Sequence, residues 1–313
     1  MKNTQKIEFC SDSSRQSGEQ IFSTALRTDV WFALEVPEVH GKKALEDSRT
    51  LSQAVKEHLT QVVDSIPNAR LQLIKKGKEF SGEGIKFFTA VCHEEEPNLY
   101  EFTLNHYEDL LNFDFSGVVA EKRTYWEYDR TEPLYLVCTN TKRDACCARF
   151  GLSVYTDLVA QNAENVWQAS HIGGHRFAAT LVALPSGVYY GYLNPTDVPA
   201  VYDAVQSNRI LLPKYRGRSC YDKLVQVTEY FLRENSGNHT LYEFKLIEFE
   251  NAQDGTWTAH FQHLKTKDTY CVQIRKSGMK SALKGCKFTE MVDFPQFELV
   301  DYQYRKAVQV DSA

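Results

Sequence analysis

"SHIGGHRFAAT" (170–180) sets His171 and His175 on either side of an Ile-Gly-Gly spacer. Two adjacent glycines inside a helix would each cost about 1 kcal/mol relative to alanine. Gly173 and Gly174 therefore mark a tight loop, and the loop brings two imidazoles to one place. It is flanked by "NVWQAS" (165–170) and "FAATLVAL" (177–184), both of which read as strands.

Upstream, "CTNTKRDACC" (138–147) closes the predicted strand "PLYLVCTN" (133–140) and precedes the predicted helix "ARFGLSVYTDLVAQN" (148–162). Cys138 and Cys147 can present two thiolates from that loop, and His171 and His175 complete a set of four donors. Tetrahedral zinc accepts two Cys and two His, and so does a 2Fe-2S cluster in which imidazoles replace two thiolates. Zinc fingers usually pair their cysteines two to four residues apart. The longer loop here, and bare glycine backbone beside it, suit the wider cluster better, with structural zinc as the alternative.

"C-x8-C" followed by "H-x-G-G-H", continuing "HRFAATLVALPSGVYYG", resembles the sucrase/ferredoxin-like family, whose C-terminal region is similar to thioredoxin-like 2Fe-2S ferredoxins. "YRGRSCYDKLVQVTEYFLRE" (215–234) resembles a family segment of R-G-R-S followed by a helix, and "CSDSSR…VWFALEVPEVHGKKAL" is similar to the family's opening. The resemblance covers roughly residues 9–235. It implies that Cys138, Cys147, His171 and His175 bind a 2Fe-2S cluster, where plainer ferredoxins carry C-x3-C in place of the histidine pair. Cys146 stands next to Cys147 as a substitute donor, otherwise a structural neighbour. Two thiolates and two neutral imidazoles leave an oxidised cluster formally neutral, whereas four thiolates make it a dianion. Its potential is expected above that of plant-type ferredoxins, in the direction of Rieske centres at about −150 to +300 mV against about −400 mV. The free ring nitrogens add an expectation of proton-coupled electron transfer to a redox partner protein.

The remaining chain sets the frame. Its 313 residues, 42% apolar and 25% charged, are ordinary for globular domains, and the net charge of −5 gives no footprint for nucleic acid. No stretch approaches the ~20 apolar residues of a membrane span. The polar N-terminus, with Glu8, Asp12 and Glu19, lacks the signature of a signal or transit peptide, so a cytoplasmic location is expected. All eight cysteines should then be reduced. Cys10, Cys92, Cys220, Cys271 and Cys286 read as buried or half-buried side chains. A thiol oxidoreductase using Cys146 and Cys147 is a further alternative, disfavoured because no C-x-x-C occurs. No carboxylate pair stands out for glycoside hydrolysis.

The element order points to an α/β (α+β) chain in four parts. A polar leader (1–28) precedes an N-terminal α/β unit (29–128), read as a degenerate thioredoxin-like counterpart. The thioredoxin-like 2Fe-2S domain (129–235) follows, and then a β-rich extension (236–313). Both middle parts read strand, helix, three strands, helix. "ALEDSRTLSQAVKEHLTQVVDSI" (44–66) has helical spacing, and "KKGK" (75–78) and "GEG" (82–84) read as turns. Arg176, Arg216 and Arg218 are placed near the cluster, either to receive a partner or acceptor or simply as salt-bridge residues.

Overall fold

The computed structural model describes residues 9–77 and 84–307; Lys78 of the "KKGK" run and most of "GEG" lie outside them. Helix α1 (Cys10–Ser17) comes first. The N-terminal unit holds β1 (Val30–Glu35), α2 (Gln53–Ser65), β2 (Ala69–Lys75), β3 (Ile85–Val91), β4 (Asn98–Leu104) and α3 (Phe115–Val119). The next holds β5 (Leu134–Cys138), α4 (Ala145–Gln161), β6 (Val166–Ala169), β7 (Leu181–Leu184), β8 (Val188–Tyr190), α5 (Val198–Gln206), β9 (Tyr215–Arg218) and α6 (Lys223–Ser236). The chain ends in β10 (Phe244–Asn251), β11 (Thr256–His263), β12 (Thr269–Leu283) and β13 (Met291–Arg305).

Nine strands form one mixed sheet in the order β4-β3-β1-β2-β6-β5-β7-β8-β9. β1 runs parallel to β2 and antiparallel to β3, which pairs with β4. β5 likewise runs parallel to β6 and antiparallel to β7, which pairs with β8. The repeated element order thus returns as a repeated pairing pattern. The two halves meet where β2 and β6 pair antiparallel, Ile74 opposite Ala169, so two edges that would otherwise be open satisfy each other. The mixed α/β class matches the sequence reading, and β10–β13 form the antiparallel extension. That sheet packs on α6 through Val227, Phe231, Phe244, Phe261 and Ile274.

Two expectations are corrected. The helix predicted from residue 44 starts only at Gln53. Ahead of it, Asp47 accepts from the Lys43 N–H at 2.9 Å and donates its own N–H to the Lys43 carbonyl, a local turn that competes with helix. The strand predicted over 177–184 starts only at Leu181, because His175–Phe177 form a single 3-10 turn. The polar leader is packed into the fold from residue 9 onward. Cys10, Ser11 and Ser14 are buried, and Ser11 Oγ donates to the Ala178 carbonyl at 2.9 Å. The serines bury because internal partners replace water, which composition does not reveal.

Candidate metal centre

Cys138 ends β5, and Asp144 caps α4, its Oδ1 accepting from the Cys146 N–H at 3.0 Å. A side chain on Gly151 would place its Cβ 2.2 Å from the Cys138 carbonyl oxygen. Glycine therefore lets α4 lie against the end of β5, and Cys147, one turn earlier on the same face, meets Cys138. The Cys147 thiol donates to the Cys138 sulfur. That bond, and then His171, hold Cys138 well below the ordinary thiol range against its burial. Cys147 is pushed up by the same bond and by burial. His171 Nδ1 lies 3.7 Å from Cys138 Sγ and 3.6 Å from Cys147 Sγ. The three donor atoms all lie within 4.8 Å of one another.

His175 stands beside this triad, its ring centroid 5.5 Å from that of His171. Its Nε2 is 2.9 Å from the Lys284 carbonyl oxygen. A carbonyl only accepts, so this nitrogen carries the proton and Nδ1 keeps its lone pair. Among the described residues Nδ1 is buried without a hydrogen-bond partner. The structure thus gathers three of the four expected donors and sets the fourth alongside with a free lone pair.

The glycines between the histidines also make room for contacts within the fold. Gly173 and Gly174 have φ of +97° and +73°, which glycine adopts without penalty. A Cβ on Gly174 would fall 2.1 Å from Arg216 Nη2, and one on Gly173 2.5 Å from Leu26 Cδ1. In the directions a Cβ would take, the close approach is made by Arg216 and Leu26.

The sequence model of the sucrase/ferredoxin-like proteins matches residues 21–217. The chain belongs to the sucrase/ferredoxin-like family. The matched residues run through the nine-stranded sheet and stop before the four-stranded one. Altered inheritance of mitochondria protein 32 of Meyerozyma guilliermondii is 28% identical over 156 residues, covering 46% of this chain and 54% of that protein. The protein of the same name in Debaryomyces hansenii is 29% identical over 136 residues, 40% of this chain and 48% of its own. The chain therefore spans about half the length of the curated relatives it matches. No solved structure matches.

The three arginines each find internal partners in the fold. Arg216 is buried and donates to the Gly173 carbonyl, the Thr24 carbonyl and Thr24 Oγ1 at 3.2, 2.6 and 3.0 Å. Burial lowers its pKa to about 10. Arg218 donates to the carbonyls of His93 and Glu94. Arg176 pairs with Glu19 at 2.8 Å and lies over the Phe294 ring.

Cys146 is not a substitute donor to the triad, because its sulfur lies 3.5 Å from Cys10 Sγ and 3.0 Å from Cys286 Sγ. The vicinal cysteines thus join two separate groups. Nothing in the sequence signalled that Cys10 and Cys286, 276 residues apart, come together. His40 was also missed. It is buried on the loop after β1, its Nε2 has no partner among the described residues, and burial lowers its pKa to about 4. The unfolded chain takes up this proton near 6.5 and the folded chain resists it. Stability should therefore fall as pH drops from about 6.5 to about 4, by about 1–3 kcal/mol. Urea midpoints across that range should show a shallower fall for His40→Gln; equal slopes would contradict the assignment.

Proposed function

We propose that this protein is a 2Fe-2S electron-transfer protein whose cluster is held by Cys138, Cys147, His171 and His175. The observation that carries the reading is His175. One ring nitrogen donates to the Lys284 carbonyl while the other is buried, aprotic and unpartnered, as in metal-ligating histidines whose second nitrogen is fixed by a backbone oxygen. The donor chemistry fits the group, since two thiols stand beside two imidazoles, with one donor atom from each of Cys138, Cys147 and His171 within 4.8 Å of the others.

Bound there, the cluster supplies one-electron acceptance. The chain's own residues set its surroundings. The Lys284 carbonyl keeps His175 Nε2 protonated. His171 is half-buried and borders a groove of about 430 Å³ lined by Lys42, Lys43, Arg70 and Arg143 together with Glu46 and Asp64, Lys43 being paired with Glu46 at 2.7 Å. Proton exchange coupled to electron transfer belongs to this half-buried imidazole, and the groove's small excess of basic side chains offers an acidic face of a redox partner a place to dock. The midpoint potential is expected to fall with rising pH by up to about 59 mV per unit where one proton accompanies one electron. A potential flat from acid to alkaline pH would rule the coupling out. The N-terminal unit (29–128), which repeats the pairing pattern and among the described residues adds no donor to the Cys138–Cys147–His171 group, acts as the counterpart that walls the groove through Lys42 and Lys43.

A second reading is structural zinc held by Cys138, Cys147 and His171, favoured by how compact the triad is: its 3.6–3.7 Å edges suit a single tetrahedral ion with bonds of about 2.0–2.3 Å. Aerobic purification of the full chain separates the two. The cluster predicts a red-brown protein with two iron and two sulfide per chain, bleached by dithionite. A colourless chain with zinc that depends on Cys138 would replace it by the second reading. Location is tested by cell fractionation. Reduced thiols fit the cytoplasm, and the relatives' name, which refers to mitochondrial inheritance, sets the organelle as the alternative.

A further inference from the structure

A second group of metal-type donors lies on the far side of Cys147. Cys10 Sγ, Cys146 Sγ and Cys286 Sγ form a triangle with sides of 3.5, 3.0 and 3.6 Å. Asp144 Oδ1 is 3.8 Å from Cys10 Sγ, and one donor atom from each of the four residues lies within 4.8 Å of the others. We propose that Cys10, Cys146, Cys286 and Asp144 hold a structural zinc ion, distinct from the Cys138–Cys147–His171–His175 centre.

The dimensions select the ion. Zinc–thiolate bonds of about 2.3 Å set tetrahedral sulfur–sulfur edges of about 3.8 Å; two sides of the triangle lie within about 0.3 Å of that edge, and the 3.0 Å Cys146–Cys286 side would open as the ion enters. An iron–sulfur cluster, being wider, would hold its thiolates on different irons farther apart than any side of this triangle. The carboxylate as fourth donor disfavours copper(I), which selects soft ligands throughout. The surroundings are those of metal thiolates. Backbone N–H groups of Ser11 and Cys10 point at the sulfurs of Cys146 and Cys286. Asp144 is fixed by the Cys146 N–H on Oδ1 and by the Cys286 N–H on Oδ2 at 3.1 Å, and each oxygen retains a lone pair. Oriented ligands of this kind are the mark of a site organised before the ion arrives.

The four donors come from three distant segments: α1, the start of α4, and the turn between β12 and β13. An ion here ties the N-terminal helix and the C-terminal extension to the helix that carries Cys147. It also fixes Lys284, whose carbonyl orients His175. Metal binding energy at such a site is folding energy for the segments it joins.

The test is metal analysis of the full chain, purified without chelators. One zinc per chain is expected besides any iron. Cys10→Ser and Cys286→Ser should each lose the zinc and keep the iron and colour, while Cys138→Ser should do the reverse. Zinc that follows Cys10 and Cys286 in a chain without iron supports this site while removing the cluster reading. Wild-type protein without zinc, zinc that follows Cys138 alone, or a disulfide among the three cysteines would overturn it. If the serine variants lose both metals through misfolding, alkylation of the wild type decides. Protection of Cys10, Cys146 and Cys286 that is lost on adding a chelator supports the site, and equal labelling with and without chelator overturns it.

Discussion

Gly174→Ala is expected to destabilise the fold by about 3–5 kcal/mol, the range for disrupting a buried charge and its partners. The left-handed backbone at φ +73° accounts for about 1–2 kcal/mol of this in a residue with a Cβ. The rest comes from Arg216, whose guanidinium lies where the methyl would go. This side chain cannot swing aside cheaply. It is 1% exposed, holds three hydrogen bonds to Thr24 and Gly173, and lies against the rings of Phe177 and Tyr189. Displacing it leaves a buried cation without partners and loosens residues 24–25, whose N–H groups bond the Arg216 carbonyl. Urea unfolding of the full chain measures the loss. In a double-mutant cycle with Arg216→Ala the two changes should be far from additive. Additive effects would mean that glycine is needed for backbone reasons alone.

His175→Cys should keep the iron and lower the midpoint potential by about 100–300 mV, a substantial part of the separation between imidazole-ligated and all-thiolate two-iron centres. The substitution exchanges a neutral donor for an anionic one, which makes adding an electron harder. It also removes the N–H that bonds the Lys284 carbonyl, so a small loss of stability accompanies the shift. His175→Ala, which offers no donor, should lose most of the iron. Potentiometric titration followed by visible absorption reads both variants. An unchanged potential in the cysteine variant, with full iron, would show that His175 is not a ligand.

That Cys138 and Cys147, and His171 and His175, come near one another was legible because each pair lies close in sequence, within ten residues for the cysteines and within five for the histidines. Loops that short bring their ends together whatever the rest of the chain does. The strand–helix–strand order around them was legible for the same reason, since periodicity and turn residues are local signals. The start of α2 was misplaced because the Asp47 side chain closes a local turn and Ser52 holds an extended backbone just before the helix, neither of which spacing registers. That Gly174 also makes room for Arg216 was not legible, because that contact lies 42 residues on.

By itself, then, the sequence determined the class of fold, the repeated order of elements and four candidate donors, all set by local spacing. Only the tertiary structure decided that the two halves share one sheet through β2 and β6, and that Cys146 turns from Cys147 toward Cys10 and Cys286. It alone placed the Lys284 carbonyl on His175, leaving Nδ1 its free lone pair. These are contacts between residues 93 to 140 positions apart, and no local pattern encodes which distant side chain will be present when a loop closes.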